Sequence, residues 1–428
     1  MPDLTVSTQV RGGTGGLKVS EEMRLLLSLP EPLQLDCGGQ VLRTLYQRGS
    51  KPLDPRLLND FAQRCFYGDI NGIKRVIENG TAPVLTGVET PYRWGYATLV
   101  VLGVQRVVAA PHRSRIDHKA TLEYLLDHGV PADVPDIVGY TALQHACMNH
   151  PCPDLVRILL GHGADPDHQD KFGSVALISA CQNNCVGAVE ALMEYDARMD
   201  IEDADQCSPE EFYVKCGPAV IAAIQKWKRK RVGESTALDE RACAACGEEA
   251  TRLKFCVACH AIRYCSKECQ RSHWFLHKTR CIPFSPESTV TLTPFYEDIG
   301  PVASLADMTR QAYGFRVDKQ PARNSRSVKI PYIRPGETKK VIIKVQVPFN
   351  LDTGGPTTEE VGDMMVYDKK RSFVCRLRRQ DGEEAYLRLS RTVRAHGVAG
   401  AKAYFSAELR SKDELVVKYK EVLGEQPF

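Results

Sequence analysis

Cysteine and histidine recur at metal-ligand spacing in one short stretch of the chain, between Cys243 and Cys281. Zinc takes four thiolate or imidazole ligands in a tetrahedron, and two residues between cysteines let one tight turn offer both sulfurs to one ion. The candidate ligands are Cys243, Cys246, Cys256, Cys259, Cys265, Cys269, His277 and Cys281. Seven cysteines and one histidine predict two closed zinc sites. Closed sites are structural, because no coordination position remains for a water or a substrate.

The spacing leaves the assignment of ligands to ions open. Cys265 and Cys269 are four residues apart, as are His277 and Cys281, so each pair can share one face of a helix. A sequential and a crossed arrangement both fit this pattern. The alternative to zinc is a cluster of disulfides, which requires an oxidising compartment that nothing in the sequence indicates.

The order of these residues, with Tyr264 before Cys265 and the ending Cys-Gln-x2-His-Trp-x2-His-x3-Cys, resembles the MYND zinc finger over residues 243–281. The resemblance implies a crossed pairing, and it implies that His273 is not a ligand; we expect the same of His260. One implied quartet is Cys243, Cys246, Cys265 and Cys269, and the other is Cys256, Cys259, His277 and Cys281.

MYND fingers usually bind proline-containing peptides of partner proteins, often in transcriptional regulation. The resemblance therefore implies a peptide-binding role for Tyr264, Gln270 and Trp274. The alternative is that Tyr264 and Trp274 only cover a finger that is too small to have a core of its own.

A second pattern repeats along residues 57–227. The motif Leu-Leu-x2-Gly ends at Gly129 and again, one period later, at Gly163. Asp136-x2-Gly139 likewise recurs at the same interval as Asp170-x2-Gly173. A glycine in the left-handed conformation commonly ends a helix. Two short helices per period would bury their apolar faces only against neighbouring pairs.

A period of about 33–34 residues with this content resembles the ankyrin repeat. About four and a half units are indicated, and the second carries an insert near 105–118, because Gly80 and Gly129 lie well over one period apart. The predicted units are 57–86, 88–135, 136–169, 170–202 and a cap over 203–227. The insert could belong to a binding face or be a neutral surface loop.

The remaining segments carry weaker signals. We expect an N-terminal tail with short helices over 1–56, poorly ordered through residue 35 and helical at 41–46. A basic linker follows over 228–240. The basic run 226–231, which overlaps its start, has two interpretations: a functional one, as a nuclear import signal or a patch that binds an acidic partner, and a structural one, as the end of a helix, where cations are favoured. Residues 282–336 read as an irregular linker, and 337–428 as an α+β domain of unknown role. In that domain alternation predicts strands at 340–347, 373–377 and 415–419, with a helix within 390–409.

Length and charge narrow the function classes. The 428 residues are 43% hydrophobic and carry a formal net charge of +3, and seven thiolates with two zinc ions change that charge by −7 + 4 = −3. A near-neutral chain is a weak candidate for nucleic-acid binding. The start of the sequence lacks a signal-peptide pattern, and no apolar stretch is long enough to span a bilayer. We therefore expect an intracellular protein, in the cytoplasm or the nucleus.

The sequence as a whole predicts a mainly α chain, in which an ankyrin solenoid precedes a small two-zinc MYND finger and a small α+β C-terminal domain. The predicted function is that of a non-enzymatic adaptor that binds other proteins. A SET-type lysine methyltransferase relative is one alternative, because 149–152 read Asn-His-Pro-Cys and resemble the SET motif Asn-His-Ser-Cys. That motif lies before the finger, whereas a SET motif should follow it. A DNA-binding regulator is the other alternative.

Overall fold

The computed structural model describes residues 13–106, 116–148, 150–233, 242–248, 253–296, 329–334, 336–350, 355–358 and 362–424. The chain divides into two compact units, Met1–Cys216 and Gly217–Phe428. Among the helices described, none has the length and apolarity needed to cross a membrane.

Paired helices build most of the first unit. The α-helices and the short hairpin in the described part of this unit are α1 (Glu21–Leu27), α2 (Gln40–Ser50), α3 (Asp60–Tyr67), α4 (Ile70–Glu78), β1 (Val88–Glu89), β2 (Trp94–Gly95), α5 (Tyr96–Arg106), α6 (His118–Asp127), α7 (Ala142–Cys147), α8 (Pro153–Gly161), α9 (Ala176–Gln182), α10 (Val186–Glu194) and α11 (Pro209–Phe212). The predicted insert lies between α5 and α6, and most of it falls outside the described residues.

An aspartate at the start of each of two consecutive repeats sets the turn that precedes the helix pair. The Asp136 carboxylate accepts from the backbone N–H of Val138 at 2.9 Å and of Tyr140 at 3.0 Å. Asp170 makes the equivalent pair of bonds one repeat later. Consecutive turns are also joined, since Lys171 N–H donates to the Val138 carbonyl at 3.0 Å. The pattern of Asp and Gly in the sequence is thus a pattern of turns that join neighbouring repeats.

The expectation of a poorly ordered tail is wrong for the described part of residues 1–35. Helix α1 begins after Ser20, whose hydroxyl accepts from the Met23 backbone. Met23 and Leu33 are buried, and Leu33 N–H donates to the Lys171 carbonyl at 2.8 Å. The sequence did not indicate this order, because the apolar residues of the tail have no regular period and their partner lies far along the chain. The predicted helix at 41–46 lies within α2.

The second unit begins with a helix and ends with a sheet. Its elements are α12 (Pro218–Arg231), β3 (Lys254–Phe255), β4 (Arg263–Tyr264), α13 (Lys267–His277), β5 (Val290–Leu292), β6 (Lys339–Gln346), β7 (Phe349–Asn350), β8 (Gly355–Pro356), β9 (Met364–Asp368), β10 (Val374–Leu377), α14 (Glu383–His396), β11 (Lys402–Ser411) and β12 (Glu414–Val417). The basic run ends α12, so the first four residues of the predicted linker 228–240 are helical.

Six strands form one antiparallel sheet in the order β10-β9-β6-β11-β12-β5. Side chains on one face of the sheet pack with α14 into a hydrophobic core. Representative members are Val345 on β6, Phe405 on β11 and Leu389 on α14, each fully buried. The description "mainly α" therefore fits the repeats but not the C-terminal part, which is built on a curled sheet with one helix.

Three predicted strands, at 340–347, 373–377 and 415–419, correspond to β6, β10 and β12. The range 390–409, expected to contain a helix, holds the end of α14 as far as His396, but 402–411 is the ten-residue strand β11. This central strand is covered on both faces, so it lacks the alternation that identifies a half-exposed strand. Strand β9 was not predicted, and β5 lies within the segment expected to be irregular.

Candidate metal centre

The eight predicted ligands lie in two groups, and within each group the ligand atoms are all within 4.8 Å of one another. The groups are the crossed ones that the MYND resemblance implies. The first quartet is Cys243, Cys246, Cys265 and Cys269, and the second quartet is Cys256, Cys259, His277 and Cys281.

The spacing of the ligand atoms suits zinc. With zinc–sulfur bonds of about 2.3 Å, the edge of a ligand tetrahedron is about 3.8 Å. In the first quartet the sulfur of Cys265 lies 3.7 Å from that of Cys246 and 3.4 Å from that of Cys269. In the second, the sulfur of Cys259 lies 3.5 Å from Nε2 of His277. Each group therefore has the dimensions of one tetrahedral site.

The ionisation of the thiols also favours a bound cation. Burial raises the pKa of the Cys243 thiol, but backbone N–H groups of neighbouring residues outweigh this effect and lower it to about 6. By contrast, hydrogen bonds with Cys269 and Cys243 raise the pKa of Cys265 to about 12. Once one of the four thiols has ionised, its negative charge makes the others harder to ionise. A divalent cation that binds the thiolates offsets this repulsion.

Short turns and one helix position the ligands. The left-handed Gly247, with φ of 73°, closes the turn after Cys246, and its N–H donates to the Cys243 carbonyl at 2.8 Å. Helix α13 begins at the cap Ser266, whose hydroxyl accepts from Cys269 N–H. Cys269 and His277 lie eight residues apart on one face of α13. Because they belong to different quartets, this helix spans both sites.

The two other histidines of the finger have partners of their own. His273 lies between the ligands of α13, and its Nδ1 is 3.1 Å from the hydroxyl of Tyr264. Nε2 of His260 lies 2.6 Å from Nζ of Lys340 on β6. Neither histidine belongs to a ligand quartet.

The three predicted peptide-binding residues differ in accessibility. Tyr264 is only 2% exposed and packs in a cluster with the ligands Cys243, Cys256 and Cys259, so its side chain supports the finger from within. Gln270 is half-buried on α13. Trp274, one turn later on the same face, is 44% exposed. Of the three, Gln270 and Trp274 offer surface to a ligand.

The sequence did not predict that the finger packs on the C-terminal sheet. Tyr404 of β11 and Leu423, which follows β12, join the cluster that contains Cys243, Cys256 and Tyr264. Lys418, just after β12, is fully buried and donates to the backbone carbonyls of Cys259 at 2.7 Å and Ile282 at 2.8 Å. No local signal marks Lys418, because the segments it contacts are distant in the sequence.

Comparisons with known proteins identify two parts of the chain. A family model described as ankyrin repeats, in three copies, matches residues 109–209, and a model described as the MYND finger matches residues 243–281. The chain therefore contains ankyrin repeats followed by a MYND-type zinc finger, with two four-ligand zinc sites in that finger.

Two curated relatives share only a short region with this chain. It is 44% identical over 57 residues to "SET domain and MYND-type zinc finger protein 6" of Schizosaccharomyces pombe, which is 12% of each chain. It is 48% identical over 42 residues to "SET domain-containing protein 14" of Caenorhabditis elegans, which is 10% of each chain. The similarity therefore concerns a short region and not the whole of either relative.

Proposed function

We propose that this chain is a non-enzymatic adaptor, in which the ankyrin repeats bind one partner and the MYND finger binds a proline-containing peptide of another. Ankyrin repeats and MYND fingers are both protein-interaction modules, and solenoids present extended binding surfaces by construction. The observation that carries the peptide proposal is the exposed indole of Trp274 one helical turn from the Gln270 amide.

The surface around Trp274 supports this proposal. Phe275 is 73% exposed and Leu276 is 62% exposed, but they lie on other sides of α13 than Gln270 and Trp274, so the Trp274 indole is the apolar group that this face offers. Two ligands of different zinc sites lie on the same helix, and a rigid helix loses little freedom on binding. Proline-rich segments suit such a site, because they are already extended and lose little freedom themselves. The Gln270 amide can both donate to and accept from the backbone of an extended peptide.

A structural role for the zinc ions supports a non-enzymatic function. Each quartet supplies four protein ligands, and such a site keeps no position for a substrate. The partners in this proposal are proteins and not membranes or nucleic acids, and regulation of transcription is the cellular role that the finger favours.

Substitution of Gln270 tests the peptide site. Peptides that contain proline are titrated into the full-length protein, and binding is followed by calorimetry. For Gln270→Ala we expect affinity to fall roughly fivefold, because a hydrogen bond in a desolvated site contributes about 1 kcal/mol. Zinc content should stay at two ions.

Ser272→Ala is the matched control, since Ser272 is exposed on α13 two residues away and therefore faces another direction. It should bind the same peptides as the unsubstituted protein. Equal affinity of Gln270→Ala and Ser272→Ala for every proline-containing peptide bound by the unsubstituted finger would mean that the groove is not at Gln270.

A methyltransferase assay tests the non-enzymatic part of the proposal. The protein is incubated with labelled S-adenosylmethionine and with histones or cell extract, beside an active SET methyltransferase as the positive control. We expect no transfer above the enzyme-free blank. Transfer that exceeds the blank and is abolished by substitutions within residues 337–428 would support the SET alternative instead.

A further inference from the structure

Residues outside the finger also contact the segments that carry the second zinc site. The loop that carries Cys256 and Cys259 continues into His260, and this loop lies against the face of the C-terminal sheet opposite α14. We infer that Lys418 positions the ligands of the second zinc site, so that the C-terminal sheet is a built-in support for this site and the finger is not an independent module.

Lys418 joins two segments that carry ligands of the same ion. Its ammonium group donates to the carbonyl of Cys259, which is itself a ligand, at 2.7 Å. The same group donates at 2.8 Å to the carbonyl of Ile282, the residue after the ligand Cys281. One buried cation thus fixes the distance between the middle and the end of the finger.

Lys418 makes these contacts in the interior of the protein and not at its surface. The side chain is 0% exposed, and it also pairs with Glu421, three residues later. A buried ammonium is costly unless its hydrogen bonds are satisfied, and the two carbonyls would be left without this donor if Lys418 were absent. Burial and hydrogen bonding therefore favour one arrangement of the finger on the sheet.

Charge also favours the contact. With zinc bound, three thiolates and a neutral imidazole would give the second quartet a charge of −3 + 2 = −1, which adds to the negative charge of Glu421 beside the Lys418 ammonium. Two further sheet residues contact the same loop, since the Ser406 hydroxyl donates to the His260 carbonyl at 3.3 Å and Lys340 contacts the His260 ring. All of these polar contacts from the sheet are made to residues at or next to ligands of the second quartet.

The first quartet provides an internal comparison. Only Cys243 of that quartet is buried, whereas three ligands of the second quartet are buried and its fourth, Cys281, is half-buried. The described polar contacts from Lys418 go to the second quartet's segments alone. A change at Lys418 should therefore affect the two ions unequally. Groups that orient metal ligands from outside the coordination sphere typically change metal affinity by about 10- to 100-fold when they are removed.

The test measures zinc release from the full-length protein. Protein loaded with two zinc ions is mixed with excess chromogenic chelator, and release is followed as two phases. In Lys418→Met we expect one ion to leave at least about tenfold faster and the other to leave at its original rate. Lys412→Met is the control, because Lys412 lies in the turn between β11 and β12 with its side chain 65% exposed. This control should release both ions as the unsubstituted protein does.

Cobalt substitution identifies the ion that is affected, because a site of three sulfurs and one nitrogen absorbs differently from a site of four sulfurs. Unchanged release in Lys418→Met, equal acceleration of both ions, or selective loss from the four-sulfur site would each overturn the inference.

Circular dichroism shows whether Lys418→Met folds. If it does not fold, Ser406→Ala tests whether the sheet supports the second zinc site. Ser406 contacts the same loop through one hydrogen bond, and alanine is close to serine in volume, so the sheet keeps its packing. A faster release confined to the second ion, of about twofold or more as one lost hydrogen bond implies, supports the inference. Release at the original rate in Ser406→Ala would then refute it.

Discussion

The indole N–H of Trp94 donates a 3.0 Å hydrogen bond to the hydroxyl of Tyr46. That hydroxyl donates in turn to the carboxylate of Asp136, which also lies 3.0 Å from Nε2 of His145. All four side chains are buried, and they come from α2, β2, the third repeat's turn and α7. The network therefore joins the segment before the repeats to the second and third repeats, and each member satisfies the polar groups of another.

Removal of the Tyr46 hydroxyl should destabilise this unit. In Tyr46→Phe the Trp94 N–H loses its acceptor and the Asp136 carboxylate loses a donor, inside a site that water does not reach. We expect the free energy of unfolding to fall by roughly 1–3 kcal/mol. For a unit of this size that lowers the melting temperature by about 2–4 °C per kcal/mol, which calorimetry can measure.

Tyr195→Phe is the control, because the Tyr195 side chain is 41% exposed at the end of α10. Its effect should stay within about 0.5 kcal/mol. If the two substitutions lower stability equally, the hydrogen-bond network does not hold the N-terminal segment.

The packing of α2 can be tested by substituting one leucine in the helix and one just before it. Leu42 is fully buried, so Leu42→Ala should cost roughly 2–5 kcal/mol of stability, from lost apolar contact and the cavity left behind. Leu35, which is 40% exposed in the same segment, provides the matched variant Leu35→Ala and should cost far less. Urea unfolding of both variants measures the difference. Similar, small effects would indicate that Leu42 of α2 is not packed in a core.

Asp170 makes stability depend on pH. Burial raises its pKa to about 7, although hydrogen bonds from the Ser174 and Phe172 backbone act in the opposite direction. The unfolded chain releases this proton at about pH 3.9. Between these values the folded chain holds a proton that the unfolded chain has lost, so the contribution to stability is present at low pH and decreases as the pH rises towards 7.

Asp170→Asn removes this titration and keeps an oxygen that can accept both backbone bonds. Between pH 5 and pH 7 the unsubstituted protein should lose on the order of 2 kcal/mol relative to Asp170→Asn. Urea unfolding at several pH values measures this, with the exposed Asp200→Asn as the control. Parallel pH profiles for Asp170→Asn and the unsubstituted protein would show that Asp170 ionises normally in the fold.

The zinc content should be two ions per chain by elemental analysis. Cys246→Ala removes one ligand of the first quartet, and we expect at least one ion to be lost with the local structure, because metal binding supplies the folding energy of such a site. The helical signal of the repeats should persist, since each repeat packs on its neighbours. Cys37→Ala, at an exposed cysteine outside the quartets, should keep both ions. A cooperative loss of all helical signal on chelation would contradict this separation.

The sequence by itself determined the zinc ligands and the phase of the repeats. Both are matters of spacing along the chain. A cysteine pair separated by two residues indicates one tight turn, and the Gly at 80, 129 and 163 marks the end of the second helix in three successive repeats. Such local signals survive in the sequence because a few neighbouring residues set the geometry.

Only the tertiary structure showed which groups Lys418 and Tyr46 contact. Lys418 donates to a carbonyl of the finger, which ends far earlier in the chain, and Tyr46 donates to an aspartate of the third repeat. Neither contact leaves a period or a motif, because a buried polar group requires only that its partner be near in space. For the same reason β11 did not appear as a strand, since its two faces are covered by α14 and by the finger. Features that depend on regular spacing along the chain could therefore be predicted from the sequence. Contacts between segments that are distant in the sequence could be seen only in the folded structure.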